Sequence, residues 1–126
     1  MKKINLAVTG CLGRMGQQLV KSSKSSKNFK LVSVTENRVV NKKVSGLKPQ
    51  LNSESAFKNA NIIIDFTNPK STLEILKIAY KLKKRVVIGT TGFSKKEEKL
   101  IWQLLDALEE WDNNLLNLLK VKKILN

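Results

Sequence analysis

Gly10-Cys11-Leu12-Gly13-Arg14-Met15-Gly16 sets three glycines three residues apart, directly after a short apolar run. Glycines at this spacing remove Cβ atoms where a backbone must come close to a phosphate. Gly10 permits a tight turn, Gly13 lets the main chain approach an anion, and Gly16 lets a following helix lie close to the strand. Unpaired N–H groups at the helix start then face a pyrophosphate, the helix dipole adds favourable potential, and Arg14 adds a cation. The same glycines also suit a plain tight turn, so their neighbours decide. Glu36 stands 20 residues after Gly16, at the end of a second apolar run, where a carboxylate can hydrogen-bond adenosine ribose hydroxyls. The set points to a nicotinamide dinucleotide, NADPH or NADH. Glu36 disfavours a 2′-phosphate, whereas Arg38 and the neighbouring lysines accommodate one, so use of both cofactors is expected.

These residues need a scaffold, and the periodicity of the chain supplies one. Residues 3–9 and 29–35 read as strands, and between them Met15, Leu19 and Val20 recur at helical spacing from Arg14 to about residue 24. Residues 39–52, polar with Gly46 and Pro49, are expected to form a surface loop. Ser53 caps a single short helix through residue 58. Residues 62–66 are almost continuously apolar, as suits a parallel strand covered on both faces. Thr67-Asn68-Pro69 punctuates the chain before Leu73, Leu76, Ile78 and Ala79 mark another helix over residues 71–82. Residues 85–88 read as the fourth strand. A last helix begins near Lys95, with Ser94 as N-cap and Glu97 completing a capping box. The alternation predicts an α/β fold: a Rossmann-like, doubly wound parallel sheet, truncated, with a C-terminal amphipathic helix.

Three segments carry a resemblance to a known family. Val8 through Gly16 resembles the first turn of the 4-hydroxy-tetrahydrodipicolinate (dihydrodipicolinate) reductase family, including its Gly-Arg-Met-Gly core. Ile64-Asp65-Phe66-Thr67 followed by Pro69 resembles its Asp-Phe-Thr-x-Pro segment, and Val87 through Phe93 resembles its Gly-Thr-Thr-Gly-Phe loop. The resemblance covers residues 1–101. It implies that Gly10, Cys11, Leu12, Gly13, Arg14 and Met15 bind the pyrophosphate, that Glu36 holds the adenosine ribose, and that Gly89, Thr90 and Thr91 lie along the nicotinamide side. It also implies hydride transfer from NAD(P)H to a cyclic dicarboxylate, in lysine and diaminopimelate biosynthesis. Some family members carry an arginine suited to the 2′-phosphate where this chain has Asn37, which weakens the expectation of NADPH preference. The family's substrate domain carries a paired-histidine and lysine motif, and this sequence has no histidine. No catalytic residue is therefore assigned, and the chain alone is expected to bind cofactor weakly without reducing substrate.

Beyond about residue 101 the composition shifts. Residues 102–126 hold both tryptophans, eight leucines and four of the ten acids. The division expected is a dinucleotide-binding domain over 1–101 and a non-homologous helical tail over 102–126, arising from truncation, frameshift or fusion. Ile101, Leu104, Leu108, Trp111, Leu115 and Leu118 make an amphipathic helix, with an interruption at Asn113-Asn114. Its apolar side either covers the sheet or mediates self-association.

Composition narrows the remaining classes. The net charge of +14 comes from 21 lysines against 3 arginines spread along the chain, unlike the clustered arginines of a nucleic-acid reader. With no histidine and one cysteine, no metal site is expected. No apolar stretch approaches a membrane span and the N-terminus does not resemble a secretory signal, so a cytoplasmic location is expected. Two rivals stand beside the reductase: a short-chain dehydrogenase, from the Tyr80-x-x-x-Lys84 spacing, and a non-catalytic dinucleotide-binding or partner-binding module. Tyr80 and Lys84 close a helix just before a strand, away from the expected crevice, which favours a packing role.

Overall fold

The apolar runs become β1 (Ile4–Val8), β2 (Phe29–Glu36), β3 (Gln50–Leu51), β4 (Ile62–Asp65) and β5 (Arg85–Ile88). The helices are α1 (Arg14–Ser25), α2 (Glu54–Phe57), α3 (Pro69–Leu82) and α4 (Lys95–Trp111). This computed structural model describes residues 3–111, with side chains through residue 107. The strands lie in the order β3-β2-β1-β4-β5, every pairing parallel. From β1 the chain moves outward through β2 and β3, then returns to lay β4 on the other side of β1. Between β1 and β4 the winding reverses, and outside the carboxyl ends of these strands an open α/β sheet presents its binding crevice.

Alternation along each strand splits the core in two. Leu6, Val8 and Val34 meet Cys11 and Val20 on the face that α1 covers. Ala7, Ile63, Val86 and Ile88 point the other way, against Phe57, Ile75, Leu76, Ile101 and Leu105 of α2, α3 and α4. Leu6, Ala7 and Val8 are buried on both faces of β1, as suits a central strand of a parallel sheet.

The sheet has five strands rather than the four expected. Residues 39–52 are not simply a surface loop: Gln50–Leu51 pairs in parallel with Thr35 and Glu36, Val44 bridges Leu47, and Val40 and Pro49 are buried. A two-residue strand is too short to show a period of its own. The capping box at the start of α4 is reciprocal: Glu97 N–H donates to Ser94 Oγ (3.1 Å) and Ser94 N–H to Glu97 Oε1 (2.9 Å). That helix crosses residue 101 without a break, so the shift in composition there falls inside one element. Ile101 and Leu105 of this helix are fully buried, with Leu104 packed beside them. The expected positions Leu115 and Leu118 and the interruption at Asn113-Asn114 lie outside the described residues, as do the side chains of Leu108 and Trp111.

Candidate functional site

The glycine turn sits between β1 and α1 at the crevice, and its three glycines answer to three different contacts. Gly10 adopts φ +59°, a left-handed conformation that favours glycine, and a Cβ there would stand 2.8 Å from Thr67 Cγ2. At Gly16 a Cβ would lie 2.0 Å from the Gly10 carbonyl oxygen, so the first turn of α1 rests directly on the backbone of the turn. At Gly13 the nearest atom is the Gly10 oxygen at 3.3 Å, and the residue itself is exposed.

Several donors in the turn are already committed. Cys11 N–H donates to the Thr35 carbonyl (3.1 Å), Gly13 N–H to the Gly10 carbonyl (3.0 Å), and Leu12 N–H to Glu36 Oε2 (2.8 Å). Gln17 Nε2 closes the far side on the Leu12 carbonyl (2.7 Å). What remains is the start of α1. Its N-cap, Gly13, offers no side chain to the first-turn N–H groups, and no acidic residue stands in that turn. The other described helices are capped by Ser53, Asn68 and Ser94. An N-terminus left without a side-chain acceptor, with Arg14 exposed at its first position, is arranged to receive an anion.

Glu36 also makes backbone contacts that the sequence did not indicate. Besides holding Leu12 N–H through Oε2, its Oε1 accepts from Asn37 N–H at 3.3 Å. Its carboxylate ties the end of β2 to the turn while remaining partly exposed along a cleft of ≈ 180 Å³. Gly10, Gly13, Asn52, Thr67 and Asn68 line the same cleft. Asn52 was not anticipated; its Oδ1 accepts from Thr35 Oγ1 (2.6 Å), which the short strand β3 makes possible.

Cys11, expected among the cofactor-binding residues, contributes differently from its neighbours. Its side chain is fully buried with Leu6, Val8 and Val34, and its N–H is spent on Thr35, so it anchors the turn from below. Burial, with the nearby Glu36 carboxylate adding to it, pushes its thiol up to about 11.

On the other side of the crevice, Gly89 N–H donates to the Asp65 carbonyl (2.8 Å), and the Phe66 ring occupies the place a Gly89 Cβ would take, 1.8 Å away. Thr91 is exposed, while Thr90 turns inward and is buried. The Thr90 hydroxyl joins a cluster around the fully buried Asp65 carboxylate, which also accepts from the hydroxyls of Thr9, Thr67 and Thr72. Sequence reasoning assigned neither Asp65 nor three of these threonines. The available signals were an acid closing the apolar run Ile62-Ile63-Ile64 and the place of Asp65 and Thr67 in a segment that carries the family resemblance.

Tyr80 and Lys84 do not approach the crevice. Lys84 Nζ donates to the Lys58 carbonyl (2.9 Å), and the Tyr80 ring lies under Lys83 Nζ at 4.7 Å, both at the end of α3 that leads into β5. A larger hollow of ≈ 280 Å³ opens between α1 and the sheet, but its lining of Leu6, Leu19, Phe29 and Ile64 with three serines has no charge to meet a polyanion. Among the described residues, no three of His, Cys, Asp and Glu are grouped to hold a metal, and no helix is long and apolar enough to cross a membrane.

Comparison with known proteins gives the chain a family and a shared fold. The family described as "Dihydrodipicolinate reductase, N-terminus" matches residues 4–109. A 4-hydroxy-tetrahydrodipicolinate reductase of Pelagibacter ubique (strain HTCC1062) is 67% identical over 101 residues, covering 80% of this chain and 39% of that protein. The corresponding reductase of Buchnera aphidicola subsp. Baizongia pistaciae is 40% identical over 114 residues, covering 80% and 42%. The chain therefore spans about two fifths of the length of these relatives. Among solved structures, the dipicolinate-bound dihydrodipicolinate reductase from Paenisporosarcina sp. TG-14 superposes with a TM-score of 0.68 at 24% identity, covering 86% of this chain and 45% of that one. Homoserine dehydrogenase of S. aureus shares the fold with a TM-score of 0.67 at 19% identity, covering 86% and 30%.

Proposed function

We propose, for a chain that belongs to the dihydrodipicolinate reductase N-terminal family, that the crevice between β1 and β4 seats a nicotinamide dinucleotide, NADH or NADPH. The turn Gly10, Cys11, Leu12, Gly13, Arg14 and Met15 supports the pyrophosphate, Glu36 the adenosine ribose, and Gly89, Thr90 and Thr91 the nicotinamide side. The observation that carries this reading is the start of α1, which alone among the described helices lacks a side-chain cap and lies beside Glu36 at the strand ends. First-turn N–H groups and Arg14 meet the diphosphate charge, and the glycine turn admits it because no Cβ projects from Gly13. Glu36 keeps the turn in shape through Leu12 and presents the rest of its carboxylate to ribose hydroxyls.

Bound there, the reduced cofactor supplies a hydride. By its family, the acceptor in the whole reductase is a cyclic dicarboxylate of lysine and diaminopimelate biosynthesis. This chain's residues account for holding the donor; transfer to substrate is a proposal about the complete enzyme, of whose length the chain spans about two fifths. A titration of the 126-residue chain with NADH and with NADPH, read by nicotinamide fluorescence, tests the reading. Saturable enhancement with both cofactors is expected, and no saturation with either overturns it. Substrate-dependent NADPH oxidation by the pure chain would contradict the assignment of binding alone.

A further inference from the structure

We propose that Asp65 is a positioning residue that sets the two cofactor-holding loops in register, each of its carboxylate oxygens serving one loop. The inference rests on the dinucleotide reading above. Oδ1 accepts from the Thr9 hydroxyl (2.7 Å), one residue before Gly10, and from the Thr67 hydroxyl (2.6 Å), whose methyl group lies against Gly10. Oδ2 accepts from the Thr72 hydroxyl at the first turns of α3, and from Thr90 (3.2 Å) in the loop after β5. Thr72 and Thr90 also meet each other at 2.9 Å, and Thr90 Oγ1 accepts Thr67 N–H at 2.9 Å. One carboxylate thus joins the ends of β1 and β4, the start of α3 and the loop after β5.

The chemistry makes this a demanding arrangement. Asp65, Thr9 and Thr72 are all 0% exposed. A carboxylate so placed is tolerable only with its oxygens well supplied with donors, and bonds to a charged acceptor are stronger and more directional than those between neutral groups. Losing one threonine hydroxyl therefore releases chiefly the segment that it tethers to its own carboxylate oxygen. A nonpolar residue at position 65 would suffice if the strand end needed only to be filled. Four hydroxyls drawn from separate segments converge on it instead, and those segments carry the glycine turn and the Gly89–Thr91 loop.

The experiment uses ADP, which reaches only the turn side, and NADH, which spans both loops. Thr72→Val keeps the shape of a residue that lines no cofactor contact. It should weaken NADH binding about fivefold to tenfold while leaving ADP within about twofold, and should shift the emission of bound NADH towards that of free cofactor. Thr9→Val should weaken ADP and NADH together by about fivefold to tenfold. Thr72→Ser, which restores the hydroxyl, should return NADH affinity to the wild-type value. Equal loss of ADP and NADH in Thr72→Val, no loss of either, or failure of the serine to restore binding would overturn the proposal. If Thr72→Val does not fold, Thr72→Ala compared with Thr72→Ser carries the same contrast. Failure of the wild-type chain to bind NADH would instead overturn the dinucleotide reading, and this inference with it.

Discussion

Replacing Gly16 by alanine sets two effects of opposite sign against each other. In an isolated helix alanine is favoured over glycine by roughly 1 kcal/mol, so by helix propensity alone the variant would be more stable. The structure reverses that expectation. A Cβ at position 16 falls 2.0 Å from the Gly10 carbonyl oxygen, 2.8 Å from its carbon and 2.9 Å from Cys11 Cα, against 3.4 Å or more for an ordinary contact. The shortfall against the oxygen is at least 1.4 Å, and all three atoms are backbone, so no side-chain rotation relieves it. Helix and turn must separate. Overpacking of this kind costs about 1–3 kcal/mol, so the net change is a loss of up to about 2 kcal/mol, the larger overlap favouring the upper end. Moving the first turn of α1 by about 1 Å also misaligns its N–H groups. Losing one charge-assisted bond, about 1.5 kcal/mol, is roughly tenfold in Kd. Urea unfolding measures the first effect and NADH titration the second. Gly46→Ala serves as control: φ is +80° but no atom lies within 4 Å of the new Cβ, so a loss of about 1 kcal/mol with wild-type binding is expected. A Gly16→Ala chain as stable as wild type, with unchanged affinity, would refute the contact between helix and turn.

Three further outcomes follow from the same geometry. Glu36→Gln keeps an acceptor for Leu12 N–H but removes the charge, so the ratio of NADPH to NADH affinity should rise about tenfold in paired titrations; an unchanged ratio would show that Glu36 does not face the ribose. Gly89→Ala should displace the Phe66 ring and lower both thermal stability and NADH affinity, with a visible change in near-ultraviolet dichroism; a neutral result would mean that the ring moves freely. Cys11, with its thiol raised from 9.0 to about 11, remains protonated in the native state while the unfolded chain ionises near 9. Its contribution to stability should be complete below pH 9 and lost as the pH climbs through 11, and a thiol reagent at pH 8 should label it only on unfolding. Rapid labelling of the native chain would place the thiol at the surface.

What could be read from the sequence was local. Ile62-Ile63-Ile64, the alternation after Ile4, and the Ser94/Glu97 pair each declare an element within a few residues, and the structure has those elements. The glycine turn was legible because its spacing is short and its place after a strand is fixed by order alone. Gln50–Leu51 escaped because two residues have no period; only pairing with β2 makes them a strand. The bonds that organise the site were also out of reach. Glu36 reaches Leu12 across 24 positions, Thr90 reaches Asp65 across 25 and Thr9 reaches it across 56. Such partners are chosen by strand order, and a sequence pattern does not state which strand end lies beside which. Cys11 shows the converse, a residue placed in the motif by position whose thiol and N–H both turn into the fold.

The most direct test of dinucleotide binding at the glycine turn is a map of backbone amide shifts as NADH is added to the isotopically labelled chain. Saturable shifts should concentrate at residues 10–16, 36–38, 66–68 and 89–91, with the first-turn amides of Arg14 and Met15 among the largest. Shifts absent from the turn, or spread instead over exposed lysines such as Lys77, Lys81 and Lys83, would mean that the polyanion meets only the basic surface and that the crevice does not hold it.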